Sequence, residues 1–131
     1  MAVLIDTSVL IDAERRRDPS LYRSIGGEQV TMSVITVSEL LHGVHRAKSD
    51  AARTRRQAFV ERLIAEVDPL PVTPQIARIH AGIWADLESD GNLIDTHDLW
   101  IAATALAHGL QVATANTRDF ARVPGLPVMA L

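Results

Sequence analysis

With 131 residues and no cysteine, the chain can bury roughly two thirds of its unfolded surface as one domain over residues 1–131, and it excludes disulfide scaffolds, cysteine nucleophiles and cysteine-ligated zinc or iron–sulfur sites. The net charge of −3 argues against simple affinity for phosphate, yet residues 1–62 carry ten Lys and Arg against eight Asp and Glu while residues 63–131 carry three against eight, so a basic half precedes an acidic one. The N-terminal apolar run is four residues long with an acid directly after it, unlike a signal peptide, and no stretch is apolar enough to cross a membrane, so a cytoplasmic protein is expected.

Residues 2–5 are apolar without alternation, the pattern of a parallel strand covered on both faces. Asp6 falls where that strand stops, and Thr7 and Ser8 offer helix caps before Val9, Leu10 and Ala13. The helix from about Ser8 is expected to fade near Arg17, because Asp18-Pro19 breaks it. Pro19 suits the first turn of a short helix through Ile25, which Gly26-Gly27 ends. Residues 29–32 read as a second strand. Ser33 and Thr36 are alternative caps of a helix that carries Val37, Leu40, Leu41 and Val44 and ends near Ser49. Asp50 is expected to cap the next helix, with Ala51, Ala58, Phe59, Leu63, Ile64 and Val67 as its apolar stripe and Asp68-Pro69 as its end.

Residues 70–72 make a brief third strand. Thr73-Pro74 then starts a helix, threonine as cap and proline in the first turn, with Ile76, Ile79, His80, Ile83, Trp84 and Leu87 apolar and Asp90-Gly91 as the stop. Asp95 or Thr96 caps an almost wholly apolar helix over DLWIAATALAH, and Gly109 follows it at the position that favours a left-handed residue. Residues 111–115 form a fourth strand, NTRDF a loop, and residues 126–129 a fifth strand at the edge. Strands alternating with helices predict a three-layer α/β/α sandwich around a mainly parallel sheet of four to five strands.

The acids fall in a pattern. Asp6 follows strand one, Glu39 lies in the first turn after strand two, Asp98 opens the apolar helix and Asp119 follows strand four. Helices that follow strands of a parallel sheet begin at one edge of it, so these positions can meet in one crevice; Asp98, whose helix precedes its strand, joins them only if that helix starts at the same edge. Converging carboxylates repel by several kcal/mol for a pair about 4 Å apart at intermediate dielectric. A hard divalent cation such as Mg²⁺ or Mn²⁺, which takes oxygen ligands, resolves that repulsion. It could also activate an attacking water and neutralise a scissile phosphate.

Each acid also has a plainer reading. Glu39 completes Thr36-Val37-Ser38-Glu39, a capping box; Asp95 and Asp98 complement a helix dipole; Asp119 can make a loop turn. Asp6, between an apolar strand and a helix cap, has little structural use. Other constellations carry less. His42 and His45 with Glu39 read as a solvated helix face, no HExxH points to zinc, and no glycine-rich or Walker A sequence points to a nucleotide cofactor. Trp84 and Trp100 are expected in the core or at a dimer interface.

The stretches LIDTSVLI, SVITVSELLHGV, HDLWIAATALAHGL and VATANTRDF resemble, in order and spacing, the four signature blocks of PIN-domain ribonucleases, specifically the VapC toxins of bacterial type II toxin–antitoxin systems. The resemblance covers essentially the whole chain. It implies an Mg²⁺- or Mn²⁺-dependent endoribonuclease, a homodimer, an RNA substrate and a cognate antitoxin that blocks the site. It places the family's first acid on Asp6, the second on Glu39 and the third on Asp98. At the fourth position, where family members often have an acid, this chain has Asn116, with Asp119 available beside it. The amide adds no charge, which points to one firmly held ion rather than two. Thr7, Ser8 and Thr114 are supporting candidates and Asp95 an outer one. Readings from other classes are a non-catalytic RNA-binding or adaptor domain of the same fold, and a signalling domain that accepts phosphate on a strand-end aspartate.

Overall fold

The computed structural model describes residues 2–16 and 29–130. The apolar run at the start of the chain forms β1 (Val3–Ile5), buried at every position. It pairs in parallel with β2 (Val30–Thr31) and with β3 (Gln111–Thr114), and β3 pairs in parallel with β4 (Val128–Ala130). The order is β2-β1-β3-β4, with β4 at the edge as expected. Successive strand side chains point to opposite faces, and this sorts the helices. Val3 and Ile5 join Val9, Leu10, Leu40 and Phe59 in one core; Leu4 joins Ile76, Leu87, Ile101 and Val112 in the other. So α1 (Thr7–Arg15), α2 (Val34–His45) and α3 (Asp50–Val67) supply the first core, and α4 (Pro74–Ser89) and α5 (Thr96–His108) the second. The three-layer α/β/α sandwich with a parallel sheet is the architecture observed.

Several helix ends follow their sequence signals. Thr73 caps α4 by accepting from Ile76 N at 3.2 Å, with Pro74 in the first turn, and Gly109 ends α5 at a φ of 65°. Four expectations are corrected. Residues 70–72 do not form a strand: Leu70 makes a single parallel bridge to Ser33, because Pro71 has no N–H for a ladder and Val72 turns outward, 39% exposed. Ser49, not Asp50, caps α3, its hydroxyl accepting from Ala52 N at 3.1 Å from an extended backbone, while Asp50 binds Arg53. Ala51 and Ala58 are exposed, and Phe59, Val60 and Leu63 are the buried positions of α3. NTRDF is not a loop but holds a one-turn helix, α6 (Thr117–Phe120), anchored by wholly buried Phe120. In addition, α2 ends at His45 rather than near Ser49. The short helix expected from Pro19 to Ile25 lies outside the described residues.

Trp84 is not a core residue: it is 49% exposed. Its neighbour His80 is the buried one, stacked on Trp100 with ring centroids 3.6 Å apart and edge-on to Trp84 at 5.8 Å. Among the described residues, His80 Nε2 is buried with no hydrogen-bond partner. Burial lowers the His80 pKa below its ordinary 6.5, so the unfolded chain takes up a proton there before the folded chain does. Stability from this site is therefore complete above pH 6.5 and is lost as pH falls below it. His80→Phe keeps the stack and removes the orphaned nitrogen. It is expected to raise stability by about 1 kcal/mol and to flatten the acid limb of the melting temperature against pH, read by thermal denaturation.

Candidate active site

Because the sheet is parallel, β1 and β3 end at the same edge, and the candidate residues gather there. Asp6 stands at the N-cap position of α1 with an extended backbone, yet its side chain makes no capping bond. Instead Asp6 Oδ2 accepts from Ser8 Oγ at 2.7 Å and from Thr114 Oγ1, at the end of β3, at 2.8 Å. It does so while only 3% exposed. Ser8 Oγ in turn accepts from Ala115 N at 3.2 Å, and Thr114 Oγ1 from Asn116 N at 2.8 Å, so both hydroxyls are held from each side. The strand-end aspartate is thus oriented by groups from two strands' ends.

Glu39 reaches the same edge by a different route. Ser33 caps α2, accepting from Ile35 N at 3.0 Å, which puts Thr36 inside the helix, wholly buried, and Glu39 in its second turn. The capping-box reading therefore does not hold. Thr7 Oγ1 donates to Glu39 Oε1 at 2.7 Å and lies 3.0 Å from Thr36 Oγ1, while Glu39 Oε2 lies 3.5 Å from His97 Nδ1. Asp98 sits in the first turn of α5. Asn116 Nδ2 spans Asp98 Oδ2 at 3.4 Å and Asp119 Oδ2 at 3.0 Å. Carboxylates only accept, so the amide nitrogen is the end that must face them. Asp95 serves as the cap of α5, accepting from His97 N at 3.0 Å, and its charge acts on Asp98.

The charges are close enough to sense one another. The Asp98 carboxyl is pushed up to about 7, first by burial and then by Asp6, Asp95, Glu39 and Asp119. Among the described residues, no three His, Asp or Glu side chains stand at the spacing of a formed metal site; hydroxyl and amide donors occupy the ground between them. The acids and the hydroxyls that hold them offer oxygen donors, the chemistry that a hard divalent cation takes. Two residues of the site escaped the sequence reading. Thr36 lies one turn before Glu39 on the same helical face, a signal that helix periodicity carries, whereas His97 directly precedes Asp98 and only its chain adjacency points to it.

The family profile described as PIN domain matches residues 3–126. Ribonuclease VapC1 of Rickettsia felis is 37% identical over 131 residues, covering 100% of this chain and 97% of the relative. The tRNA(fMet)-specific endonuclease VapC of Salmonella typhimurium is 31% identical over 128 residues, covering 95% and 94%. Among solved structures, VapBC-5 from Mycobacterium tuberculosis, a member of the VapBC family of toxin–antitoxin systems, superposes with a TM-score of 0.82 at 30% identity over 100% of both chains. The chain belongs to the PIN-domain family, among the VapC ribonucleases.

An acid whose folded pKa is raised keeps its proton after the unfolded chain has lost it, so Asp98 costs the fold stability as pH rises from 3.8 to about 7. Asp98→Asn is accordingly expected to stabilise the protein in EDTA. The gain should grow across that interval and then level, reaching about 1 to 2 kcal/mol after discounting for solvent screening of a half-exposed group. Thermal melts of both proteins at several pH values check it.

Proposed function

We propose that this chain is a metal-dependent endoribonuclease, the toxin of a toxin–antitoxin pair. The observation that carries the reading is the gathering of Asp6, Glu39, Asp98 and Asp119 at one sheet edge, each fixed by a hydroxyl or amide of its own or burdened by its neighbours' charge. The names of the relatives, ribonuclease and endonuclease, and the toxin–antitoxin assembly of the VapBC-5 neighbour support it. A protein antitoxin and a second copy of the chain are the partners this reading includes.

Asp6, Glu39 and Asp98 would hold one Mg²⁺ or Mn²⁺, with Asp119 and Asn116 shaping its far side. When bound, the ion would neutralise the crowded carboxylates, acidify an attacking water and offset charge on the scissile phosphate. The chain's own residues prepare for this. Ser8 and Thr114 fix the Asp6 carboxylate and Thr7 fixes Glu39, so two acids are oriented before any ligand arrives. Asp98 must give up its proton for the cluster to hold a cation, which couples metal affinity to pH around neutrality. Asn116 bridges Asp98 and Asp119 without adding charge, which favours one ion over two.

The test is RNA cleavage by purified protein. Asp6→Asn is expected to abolish cleavage while circular dichroism and thermal melting remain those of a folded protein. EDTA should stop the parent enzyme, and Mg²⁺ or Mn²⁺ should restore it. Undiminished cleavage by the folded Asp6→Asn protein would overturn the assignment.

A further inference from the structure

A groove of about 840 Å³ between α1, α2 and α3 shares a wall with the acid cluster, since Thr7, Glu39 and His97 line it. Along α2, Glu39, His42, Gly43 and Arg46 fall at i, i+3, i+4 and i+7, one face of the helix, and all four line the groove. Arg46 therefore stands two turns from Glu39, about 10 Å along the axis. Arg15 at the end of α1, Lys48 beyond α2 and Arg56 on α3 bring further positive charge to the same groove. Gly43 keeps its wall open: a Cβ there would meet nothing within 4 Å.

The charge balance says what the groove suits. Of its two acids, Glu14 is paired with Arg55 at 3.2 Å and Glu39 is bonded to Thr7. Arg15, Arg46 and Lys48 are exposed and form no ion pair among the described residues. Arg56 uses one N–H on the Gly43 carbonyl at 2.9 Å and keeps its others. A row of cations without ion pairs among the described residues, leading away from a carboxylate cluster, matches a polyanion laid across both, with the cations taking phosphates and so setting register.

We propose that this groove carries the RNA strand away from the acid cluster, with Arg15, Arg46 and Lys48 binding its phosphates a few nucleotides from the cut. The proposal rests on the ribonuclease reading and adds where the substrate runs. RNA is favoured over a protein segment by the groove's lining, in which Arg15, Arg46, Lys48 and Arg56 outnumber Glu14 and Glu39.

Binding is measured in the uncleaving Asp6→Asn background, with a fluorescent single-stranded RNA oligonucleotide titrated at several salt concentrations. Adding Arg46→Ala and Lys48→Ala is expected to weaken binding about tenfold and to reduce the slope of log affinity against log salt by about 1.4, roughly 0.7 for each phosphate that no longer meets a cation. Gly43→Leu, whose Cβ meets nothing within 4 Å and which favours the helix, is expected to weaken binding while melting no lower than its parent. Unchanged affinity and salt slope in the Arg46/Lys48 variant would overturn the proposal and leave the groove to a protein segment. The two claims fail separately. A chain with native Asp6 that cuts no RNA, yet needs Arg46 and Lys48 to bind it, sinks the ribonuclease reading and keeps the path; cleavage with unaltered binding in the variants sinks the path alone.

Discussion

Like charges gathered in one crevice out of bulk water repel, and much of the local structure at the C-terminal edge of this sheet answers that repulsion. A pair of carboxylates 4 Å apart costs about 4 kcal/mol at an effective dielectric near 20. The parallel sheet forces the gathering, because it ends β1 and β3 at one edge. Hydroxyls then take up the charge: Ser8 and Thr114 on Asp6, Thr7 on Glu39. Asp98 has no hydroxyl and only the long bond from Asn116; burial first, and then its neighbours' charges, push its pKa up to about 7. A cation, or a proton on Asp98, can relieve the repulsion that this side chain feels.

How much of this was legible in the sequence depended on whether the deciding contact was local. Asp6 could be read directly, since an acid between a wholly buried strand and a helix start has no structural task, and Asp6 makes no capping bond. Thr73-Pro74 and Gly109 were equally plain, being signals carried by the residues themselves. Glu39 was ambiguous because its spacing from Thr36 imitates a capping box; what decides its role is a bond to Thr7, 32 residues away. The same limit hid the Asn116 bridge to Asp98 and the approach of His97 to Glu39. Residues 70–72 looked like a strand by composition, but Pro71 cannot donate to a ladder and the segment stops at one bridge. In NTRDF the polar letters suggested a loop, while burial of Phe120 holds a helical turn.

The acid cluster and the cationic groove describe one surface with two electrostatic roles. On the proposed reading, a cation offsets the acids so that they can act on a polyanion, which the arginines and Lys48 hold nearby. This explains how a chain with a net charge of −3 can suit an RNA substrate: the placement of charge along α2 matters more than its sum. Asn116, in turn, limits the negative charge at the far side of the cluster, where a fifth carboxylate would deepen the repulsion that Asp98 already registers.

Whether crowded carboxylates wait on a cation is tested most directly by titrating the Asp98 carboxyl carbon by NMR, with and without Mg²⁺. Burial and crowding together predict a midpoint near 7 in metal-free protein, falling well into the ordinary carboxylate range when Mg²⁺ is added. A midpoint of about 4 that Mg²⁺ leaves unmoved would contradict it.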